Sequence, residues 1–494
     1  MIRREWLRLA GLSSLSMLAR PLIGQTVGEP DVDLRLTAAP AEVALFPGPA
    51  TAVWSFTGAL IKGPADTLQS LPVSYLGPVI RLRTGQRVRI RFVNQLDEPT
   101  IVHWHGLDVP ELADGHPRFA VPGGAERLYE FTVTNRAGLY WYHPHPHMRT
   151  APQVYRGLAG LVIVTDATET GLGLPGGDNE LLCVLQDRRI DARNQFVYAT
   201  GGMMAGMNGF LGDRIVINGQ AETVREVDTG WVRVRLLNGS NARIYKIGWT
   251  NGVGMHLIGS DGGLLERPMA QSTLTLAPGQ RADLLVDLSR VTPGADVHME
   301  SRPFDAADAG RTMGMMGAAS PVPNGAALRL ITLRTRRRTA PPFRLPDRLT
   351  TLDASWTVRT DAPVRQVPLT FRAMQWFIGG RAFEMSDVAA DETVTAGSTH
   401  IWEFVNAPTG MGMQAAHPMH LHGRQFRVLS RTGATSNTLR DGISDAGWTD
   451  TVLVLPGETV RIQIPFSGHK GLFMYHCHIL EHEDMGMMRN FRIV

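Results

Sequence analysis

Apolar and polar positions alternate along three separate segments of the chain, and these segments resemble one another. Residues 84–94, 229–238 and 396–406 each begin with threonine or alanine followed by glycine. Each continues with alternating apolar and polar positions and ends in asparagine. Successive side chains on an extended strand point to opposite faces, so this alternation indicates a strand with one buried face. The pattern therefore predicts three copies of one strand-rich unit.

A second strand follows each copy and is opened by a Pro-Gly pair, at residues 122–123, 278–279 and 456–457. Strand runs separated by such turns, without helical periodicity between them, favour β-sandwich or β-barrel domains. We expect three domains, at residues 35–166, 178–335 and 350–494. A Gly-rich stretch ending at Gly177 and an Arg-Pro stretch ending near Pro346 would connect them.

Composition agrees with this organisation. The chain has 494 residues, and at roughly 150 residues per domain three domains are expected. Charged residues make up only 19%, with 52 Gly and 31 Pro, which suits an all-β protein. The net charge is +3 and no basic stripe is present, so we expect no nucleic-acid partner. The two cysteines, Cys183 and Cys477, imply no disulfide framework.

The first 25 residues are read as an export signal and are set apart from the fold. Arg3 and Arg4 precede a short apolar stretch that is interrupted at Arg20, and this arrangement resembles a bacterial twin-arginine signal. The apolar stretch is too short to span a membrane as a helix. We therefore expect an exported protein, periplasmic or extracellular, without stable membrane insertion.

The candidate chemistry lies in histidines, of which ten of sixteen fall into four clusters. On a strand His476 and His478 share one face while Cys477 takes the other, so this tripeptide can contact two metal sites. Cys477, His482 and Met487 supply a thiolate, an imidazole and a weak axial thioether, which is most of a blue-copper ligand set. The clustered histidines are His103, His105, His143, His145, His417, His420, His422, His476, His478 and His482.

The first and third predicted domains share these clusters, whereas the second has only the lone His256 and His298. Zinc also binds Cys and His, but a structural zinc site uses four ligands and a hydrolytic site uses three and a water. Neither accounts for ten imidazoles, one thiolate and Met487. Copper, which favours soft sulfur together with imidazole, accounts for the whole set.

The motifs His-Trp-His-Gly, Tyr-His-x-His, His-Pro-x-His-x-His-Gly and His-Cys-His-x3-His-x4-Met resemble those of the multicopper oxidases, specifically bacterial three-domain laccases and metallo-oxidases. The resemblance covers essentially the whole mature chain. It implies three consecutive cupredoxin-like Greek-key β-barrel domains and four coppers. Carried onto this sequence, it gives the type 1 copper to His417, Cys477, His482 and axial Met487, the type 2 copper to His103 and His420, and the two type 3 coppers to His105, His143 and His478 and to His145, His422 and His476.

The resemblance also implies a reaction: one-electron oxidation of a donor at the type 1 site, coupled to four-electron reduction of O2 to water at the other three coppers. Reduction of O2 consumes protons, so acids are expected near the metal cluster. Asp114 and Glu483 match the positions of proton-relay carboxylates in related enzymes, and Asp450 is a further candidate near the ligands. His147 extends the cluster of His143 and His145, but the family pattern uses only those two, so we expect His147 beside the ligands or on the surface. His116, His400 and His469 have no partner in the sequence, and we expect no metal-binding role for them. We expect a monomer.

Two classes of donor remain open. Met411 and Met413 lie just before His417, and thioethers suit Cu(I), so cuprous ion is one candidate substrate. Methionine also fills irregular gaps and forms adaptable apolar rims. The similar copper-efflux oxidases carry a long Met- and His-rich insertion and an acidic residue where this chain has Met413, so phenols and aromatic amines are equally candidate donors.

Three other functions fit the sequence less well. A copper nitrite reductase uses similar domains but does not require the complete ten-histidine set. A copper-free exported scaffold should have lost ligands, and all twelve are present. A pure electron carrier needs only the type 1 ligands and leaves eight histidines without a role.

Overall fold

The structure is a computed structural model that describes residues 28–198, 209–221, 223–311, 320–337, 342–407 and 414–494. Strands dominate these residues, which confirms the all-β prediction. The four α-helices in the described part of the chain are short: α1 (Thr150–Tyr155), α2 (Ala167–Gly171), α3 (Ala306–Ala309) and α4 (Leu480–Asp484). Single 3-10 turns occur at Ala65–Thr67, Pro117–Phe119, Gly177–Asn179, Ala354–Trp356, Ala390–Glu392 and Arg440–Gly442.

The N-terminal unit consists of two sheets. One has the strand order β2-β1-β5-β7 and the other β3-β4-β9-β8-β6. Their strands are β1 (Val32–Val43), β2 (Thr51–Lys62), β3 (Leu68–Gln69), β4 (Val79–Arg83), β5 (Arg87–Asn94), β6 (Val102–His105), β7 (Glu126–Thr132), β8 (Gly138–Pro144) and β9 (Gly160–Thr165).

The middle unit also has two sheets, with the orders β11-β10-β13-β18-β15-β16 and β12-β21-β19-β14-β17. Their strands, together with the short β20, are β10 (Glu180–Arg188), β11 (Arg214–Ile217), β12 (Thr223–Asp228), β13 (Trp231–Asn238), β14 (Tyr245–Trp249), β15 (Met255–Ser260), β16 (Gly263–Gln271), β17 (Leu274–Leu276), β18 (Arg281–Asp287), β19 (Asp296–Ser301), β20 (Gly310–Arg311) and β21 (Leu328–Arg336).

The C-terminal unit repeats the plan with the orders β23-β22-β25-β30-β28 and β24-β32-β31-β27-β29. A separate pair, β20 with β26, joins the middle unit to it. The strands are β22 (Val364–Arg372), β23 (Gln375–Ile378), β24 (Thr393–Val394), β25 (Thr399–Val405), β26 (Gln414–Ala415), β27 (His417–Leu421), β28 (Arg427–Thr432), β29 (Thr451–Val454), β30 (Thr459–Pro465), β31 (Gly471–Cys477) and β32 (Met488–Ile493).

The two strands of each predicted repeat copy lie side by side. β5 pairs antiparallel with β7, β13 with β18, and β25 with β30. The asparagine at the end of each copy is buried, and its side-chain amide donates to backbone carbonyls: Asn94 to Val121, Asn238 to Leu276, and Asn406 to Ala415. A buried amide must find such acceptors, and this requirement explains an asparagine at the end of all three copies.

Each unit has its own apolar core between its sheets. The largest clusters of buried apolar side chains span residues 32–164 and 183–349, and a third spans 367–493 with Ala242 added. Sheets that each present one apolar face must bury it against the other, which gives one core per pair of sheets. No helix among the described residues is both long and apolar enough to cross a membrane.

Candidate metal centre

Two strand pairs from separate units carry most of the predicted ligands. In the N-terminal unit His103 on β6 lies opposite His143 on β8, and in the C-terminal unit His420 on β27 lies opposite His476 on β31. These four histidines and the four that follow them by two residues (His105, His145, His422 and His478) are at most 1% exposed. Antiparallel pairing thus brings four His-x-His pairs together at the junction of the two units.

The rings from the two units stack directly on one another. The His105 and His420 ring centroids lie 3.7 Å apart with 12° between the planes, and the His103 and His422 centroids also lie 3.7 Å apart. The eight imidazoles therefore form one cluster to which both units contribute equally.

His103 and His420 face each other through unprotonated nitrogens. His103 Nδ1 lies 2.6 Å from the Asp114 carbonyl oxygen, and His420 Nδ1 lies 2.9 Å from the Asp450 carbonyl oxygen. A carbonyl can only accept, so both Nδ1 atoms carry the proton and both Nε2 atoms carry a lone pair. The two Nε2 atoms are 3.3 Å apart. A cation between them would satisfy both lone pairs.

A second group has three open nitrogens. His105 Nδ1, His143 Nε2 and His478 Nε2 are buried and have no hydrogen-bond partner within the described residues. The opposite nitrogens of two of these rings are held: His105 Nε2 lies 3.0 Å from Asp450 Oδ1, and His143 Nδ1 lies 2.9 Å from the Pro144 carbonyl. Donors from the three rings lie within 4.8 Å of one another, a spacing that one metal ion can bridge.

The third group consists of His145, His422 and His476. His476 Nε2 lies 3.3 Å from His145 Nε2 and 3.1 Å from His422 Nε2. His476 Nδ1 lies 3.1 Å from the Cys477 carbonyl oxygen, so it donates there and leaves Nε2 open toward the other two rings.

Cys477 belongs to a separate group on the other side of β31. Its Sγ lies 3.4 Å from His417 Nδ1 and 3.6 Å from His482 Nδ1. Met487 is fully buried, and its backbone is hydrogen-bonded to Cys477 and His482. Cys477 N–H donates to the Met487 carbonyl, and Met487 N–H donates to the His482 carbonyl. The turn through α4 thus returns Met487 to the Cys477 end of β31.

Trp376 was not predicted from the sequence to belong to this group. Its ring contacts both imidazoles, with centroid distances of 4.6 Å to His417 and 4.7 Å to His482, and it is 2% exposed. It comes from β23, far away in the chain, and carries no local motif. The partner of these histidines could be identified only from the fold.

Burial sets the protonation of the histidine cluster and of the Cys477 group. It lowers the pKa of His143 to about 3 and that of His145 to about 4. It also lowers the pKa values of His103, His105, His417, His420, His422 and His478. These eight imidazoles are therefore neutral and able to bind a metal. Burial raises the pKa of the Cys477 thiol, and a bound cation would favour its thiolate.

The two predicted carboxylates both lie against the histidine cluster. Asp114 Oδ2 is 2.8 Å from His422 Nδ1, and burial raises the Asp114 pKa to about 8. Glu483 lies 3.4 Å from His145 Nε2 and 3.2 Å from His476 Nδ1. Burial raises the Glu483 pKa, but the neighbouring imidazoles outweigh it and the net shift is downward.

Asp450 has a larger role in the geometry than its sequence context indicated. Besides contacting His105, its carboxylate binds Arg281, with Oδ2 2.5 Å from Nη2 and Oδ1 2.7 Å from Nη1. Arg281 is fully buried and also lies 3.4 Å from Asp261. The middle unit, which has no clustered histidine, thus supplies the cation that orients Asp450. The only local signal was its place just after Pro278-Gly279.

The metal-ligand groups among the described residues do not include the remaining histidines. His116 is buried and its Nε2 lies 3.0 Å from Asn490 Oδ1, and His147 packs on Phe383 at 5.1 Å. His298 Nδ1 lies 2.9 Å from Thr332 Oγ1. Met411 and Met413, the candidate donor contacts, lie outside the described residues.

The donor sets fit copper. Buried neutral imidazoles with facing lone pairs, and a thiol beside two imidazoles with a buried methionine, are the ligands that copper sites use. The opposite ring nitrogens are held by carbonyls and carboxylates, as is usual for metal-binding histidines.

Comparison with known proteins agrees with this chemistry. Two family models, both described as multicopper oxidase, match residues 59–169 and 358–494. Multicopper oxidase mco of Staphylococcus aureus is 32% identical over 85% of this chain and 82% of its own. Cell division protein FtsP of Photorhabdus laumondii is 29% identical over 98% of this chain and 97% of its own.

A solved structure shares the fold along nearly the whole chain. The McoA multicopper oxidase from Aquifex aeolicus superposes with a TM-score of 0.79 at 33% identity, covering 94% of this chain and 96% of that one. The expectation of three cupredoxin-like β-barrel domains is thereby confirmed. The chain belongs to the multicopper oxidase family and is an oxidoreductase.

Proposed function

We propose that this chain oxidises a one-electron donor and reduces O2 to water, using four copper ions held by twelve residues. The type 1 copper would take His417, Cys477, His482 and Met487, and the type 2 copper would take His103 and His420. The type 3 coppers would take His105, His143 and His478, and His145, His422 and His476. Bound copper would supply the one-electron chemistry that couples the two half-reactions.

The observation that carries this proposal is the convergence of open imidazole nitrogens from two units. It is plainest at His103 and His420, whose Nδ1 atoms are both committed to carbonyls and whose Nε2 atoms lie 3.3 Å apart. The same strand that carries His476 toward this cluster carries Cys477 toward the opposite group. The backbone between Cys477 and its two neighbours therefore joins the two donor sets covalently.

Proton supply falls to the two buried carboxylates. Glu483 lies within 3.4 Å of imidazoles from both units, and Asp114 Oδ2 lies 2.8 Å from His422 Nδ1. A buried carboxyl group next to the reacting centre can deliver protons to a site that bulk water does not reach. We assign both residues as proton-relay carboxylates for O2 reduction.

The donor is either a phenol or aromatic amine, or Cu(I). The same proposal includes export by the twin-arginine route, a monomeric state, and domain bounds at 35–166, 178–335 and 350–494. The relatives named cell division protein FtsP raise a role in cell division as a second candidate. Such a role alone does not require ten clustered imidazoles, so the oxidase is favoured.

Metal analysis together with oxygen uptake tests the proposal. The purified protein should bind about four coppers per chain and consume O2 with ferrocyanide as donor, without releasing peroxide. A protein fully loaded with one copper, or with none, would contradict it.

A further inference from the structure

Helix α1 of the N-terminal unit is capped by a side chain of the C-terminal unit. Arg149, the residue that precedes the helix, makes no capping hydrogen bond with its side chain. Thr150 N–H donates to Asp484 Oδ1 and Ala151 N–H donates to Asp484 Oδ2, both at 2.9 Å. The first N–H groups of a helix have no acceptor within the helix. Asp484 of α4 therefore supplies the cap that α1 lacks.

The two helices also pack on one another through apolar side chains. Leu480 of α4 lies in one buried cluster with Ala151 and Val154 of α1, and all three are at most 1% exposed. Glu483 of α4 lies 3.4 Å from His145 Nε2. Helix α4 thus contacts the N-terminal unit through both apolar and polar side chains.

A residue of the middle unit binds the same two helices. Asn241 follows β13 and is 1% exposed. Its Nδ2 donates to the Ala151 carbonyl at 3.2 Å and to Glu481 Oε1 at 2.8 Å. The Asn241 carbonyl accepts from Leu480 N–H at 3.1 Å. All three units therefore meet where α1 contacts α4.

This contact lies close in the chain to ligands of both proposed kinds of copper site. Helix α1 begins shortly after His143 and His145, and α4 contains His482. The type 1 ligands all belong to the C-terminal unit. The type 2 and both type 3 sites are shared sites, because each takes ligands from the N-terminal and the C-terminal unit. A shared site needs the two units docked in one fixed geometry.

We propose that Asp484 is a positioning residue for the shared sites. By binding the start of α1, it holds His143 and His145 in place against the ligands of the C-terminal unit. The inference rests on the proposed function and adds to it a residue that binds no metal. Loss of the Asp484 carboxyl group should weaken copper binding at the shared sites and spare the type 1 site.

Asp484→Ala and Asp166→Ala form a matched pair. Asp166 caps α2 and also accepts two backbone N–H bonds, from Glu169 at 2.8 Å and from Ala137 at 3.0 Å. Both of these bonds stay within residues 137–169, whereas the Asp484 bonds join two units. The two variants therefore lose the same kind of cap, and only one of them loses a link between the ligand-bearing units.

Copper content and visible absorption are measured after dialysis of the copper-loaded proteins against EDTA. Asp484→Ala should keep about one copper and the absorption of thiolate-bound copper, because the apparent Kd of the shared sites rises about tenfold or more. Asp166→Ala should keep about four coppers. A general loss of stability would not separate the two kinds of copper site in this way.

Two further measurements keep the test decisive. Asp484→Asn keeps one acceptor oxygen, and asparagine is a good helix cap, so it should lose copper from the shared sites to a smaller extent. Hydrogen exchange of the copper-free proteins reports local opening without any metal. Residues 143–155 should exchange faster in Asp484→Ala than in wild type, and at the wild-type rate in Asp166→Ala.

The inference is overturned if Asp484→Ala keeps about four coppers, if its type 1 copper leaves together with the others, or if Asp166→Ala loses as much copper. If Asp484→Ala does not fold, wild-type copper retention by Asp484→Asn overturns it. A wild type that binds no copper would count against the proposed function instead. The exchange of residues 143–155 would then still decide whether Asp484 holds α1.

Discussion

Arg281 Nη2 lies 2.5 Å from Asp450 Oδ2, and this ion pair links the middle unit to the histidine cluster. Neither side chain is exposed. Burial alone would raise the Asp450 pKa, but Arg281 lowers it and the net shift is downward. An ionised Asp450 accepts from His105 Nε2, which leaves His105 Nδ1 as the nitrogen available to a metal.

Replacing Arg281 should therefore destabilise the protein and disturb copper binding. Arg281→Met leaves a buried carboxylate unpaired, which costs about 3–5 kcal/mol. Arg334→Met is the control, because its pair with Asp296 is exposed and is worth about 0–1 kcal/mol. Urea unfolding of the copper-free proteins measures both. Equal losses in the two variants would show that the buried pair has no special role.

Glu483→Gln should slow O2 reduction without emptying the metal sites. The amide keeps the shape of the side chain near His145 and His476 but cannot deliver a proton, and loss of a positioned acid costs about 10²–10⁴ in rate. Oxygen uptake with ferrocyanide and the copper content should be measured together. Glu483→Asp, which restores an acid, should recover part of the rate. Wild-type turnover by Glu483→Gln would remove Glu483 from the proton path.

Acid should destabilise the copper-free protein through its buried histidines. The folded-state pKa is lowered to about 3 for His143 and to about 4 for His145, from an ordinary value of 6.5. Below pH 6.5 these histidines bind protons in the unfolded chain but stay neutral in the folded chain. The contribution of these histidines to stability therefore falls as pH falls. The free energy of unfolding should lose about 1.4 kcal/mol per pH unit for each such histidine.

His143→Gln isolates this contribution. The variant should lose less stability than wild type between about pH 6 and about pH 4, by about 1.4 kcal/mol per pH unit. Urea unfolding of the copper-free proteins across this range gives the comparison. Parallel pH profiles would mean that His143 is protonated in the fold.

The double variant Met411→Ala/Met413→Ala separates the two donor classes. If these thioethers bind Cu(I), oxygen uptake with Cu(I) should fall more than uptake with a phenol, because soft sulfur ligands favour the cuprous ion. Both rates are measured on one preparation of each protein. An equal response of the two donors would leave no support for a Cu(I) site at these residues.

Local pattern predicted a large part of this architecture. The three alternating segments became β5, β13 and β25, and each pairs with the strand that follows its Pro-Gly turn. The period of two along β31 placed His476 among the imidazoles and Cys477 beside His417. These features depend only on residues that are close together in the chain, so they can be predicted from the sequence.

The contacts that complete the centre come from distant strands and carry no local signal. Arg281 reaches Asp450 across a boundary between units, and Trp376 meets His417 and His482 from β23. The stacking of His105 on His420 likewise depends on how the first and third units dock. Alternation and spacing describe one strand at a time, so such contacts appear only in the fold.

The most direct test of the central claim is oxygen uptake by Cys477→Ser, with Cys183→Ser as the control. Both cysteines are buried, but Cys183 lies in the core of the middle unit, away from the metal groups. Cys477→Ser should retain about three coppers, lose the intense visible absorption of a thiolate-bound copper, and show no turnover with ferrocyanide. Cys183→Ser should keep about four coppers, the visible absorption and the turnover with ferrocyanide. Retained turnover in Cys477→Ser would contradict the assignment of Cys477 as the ligand through which donor electrons reach the histidine cluster.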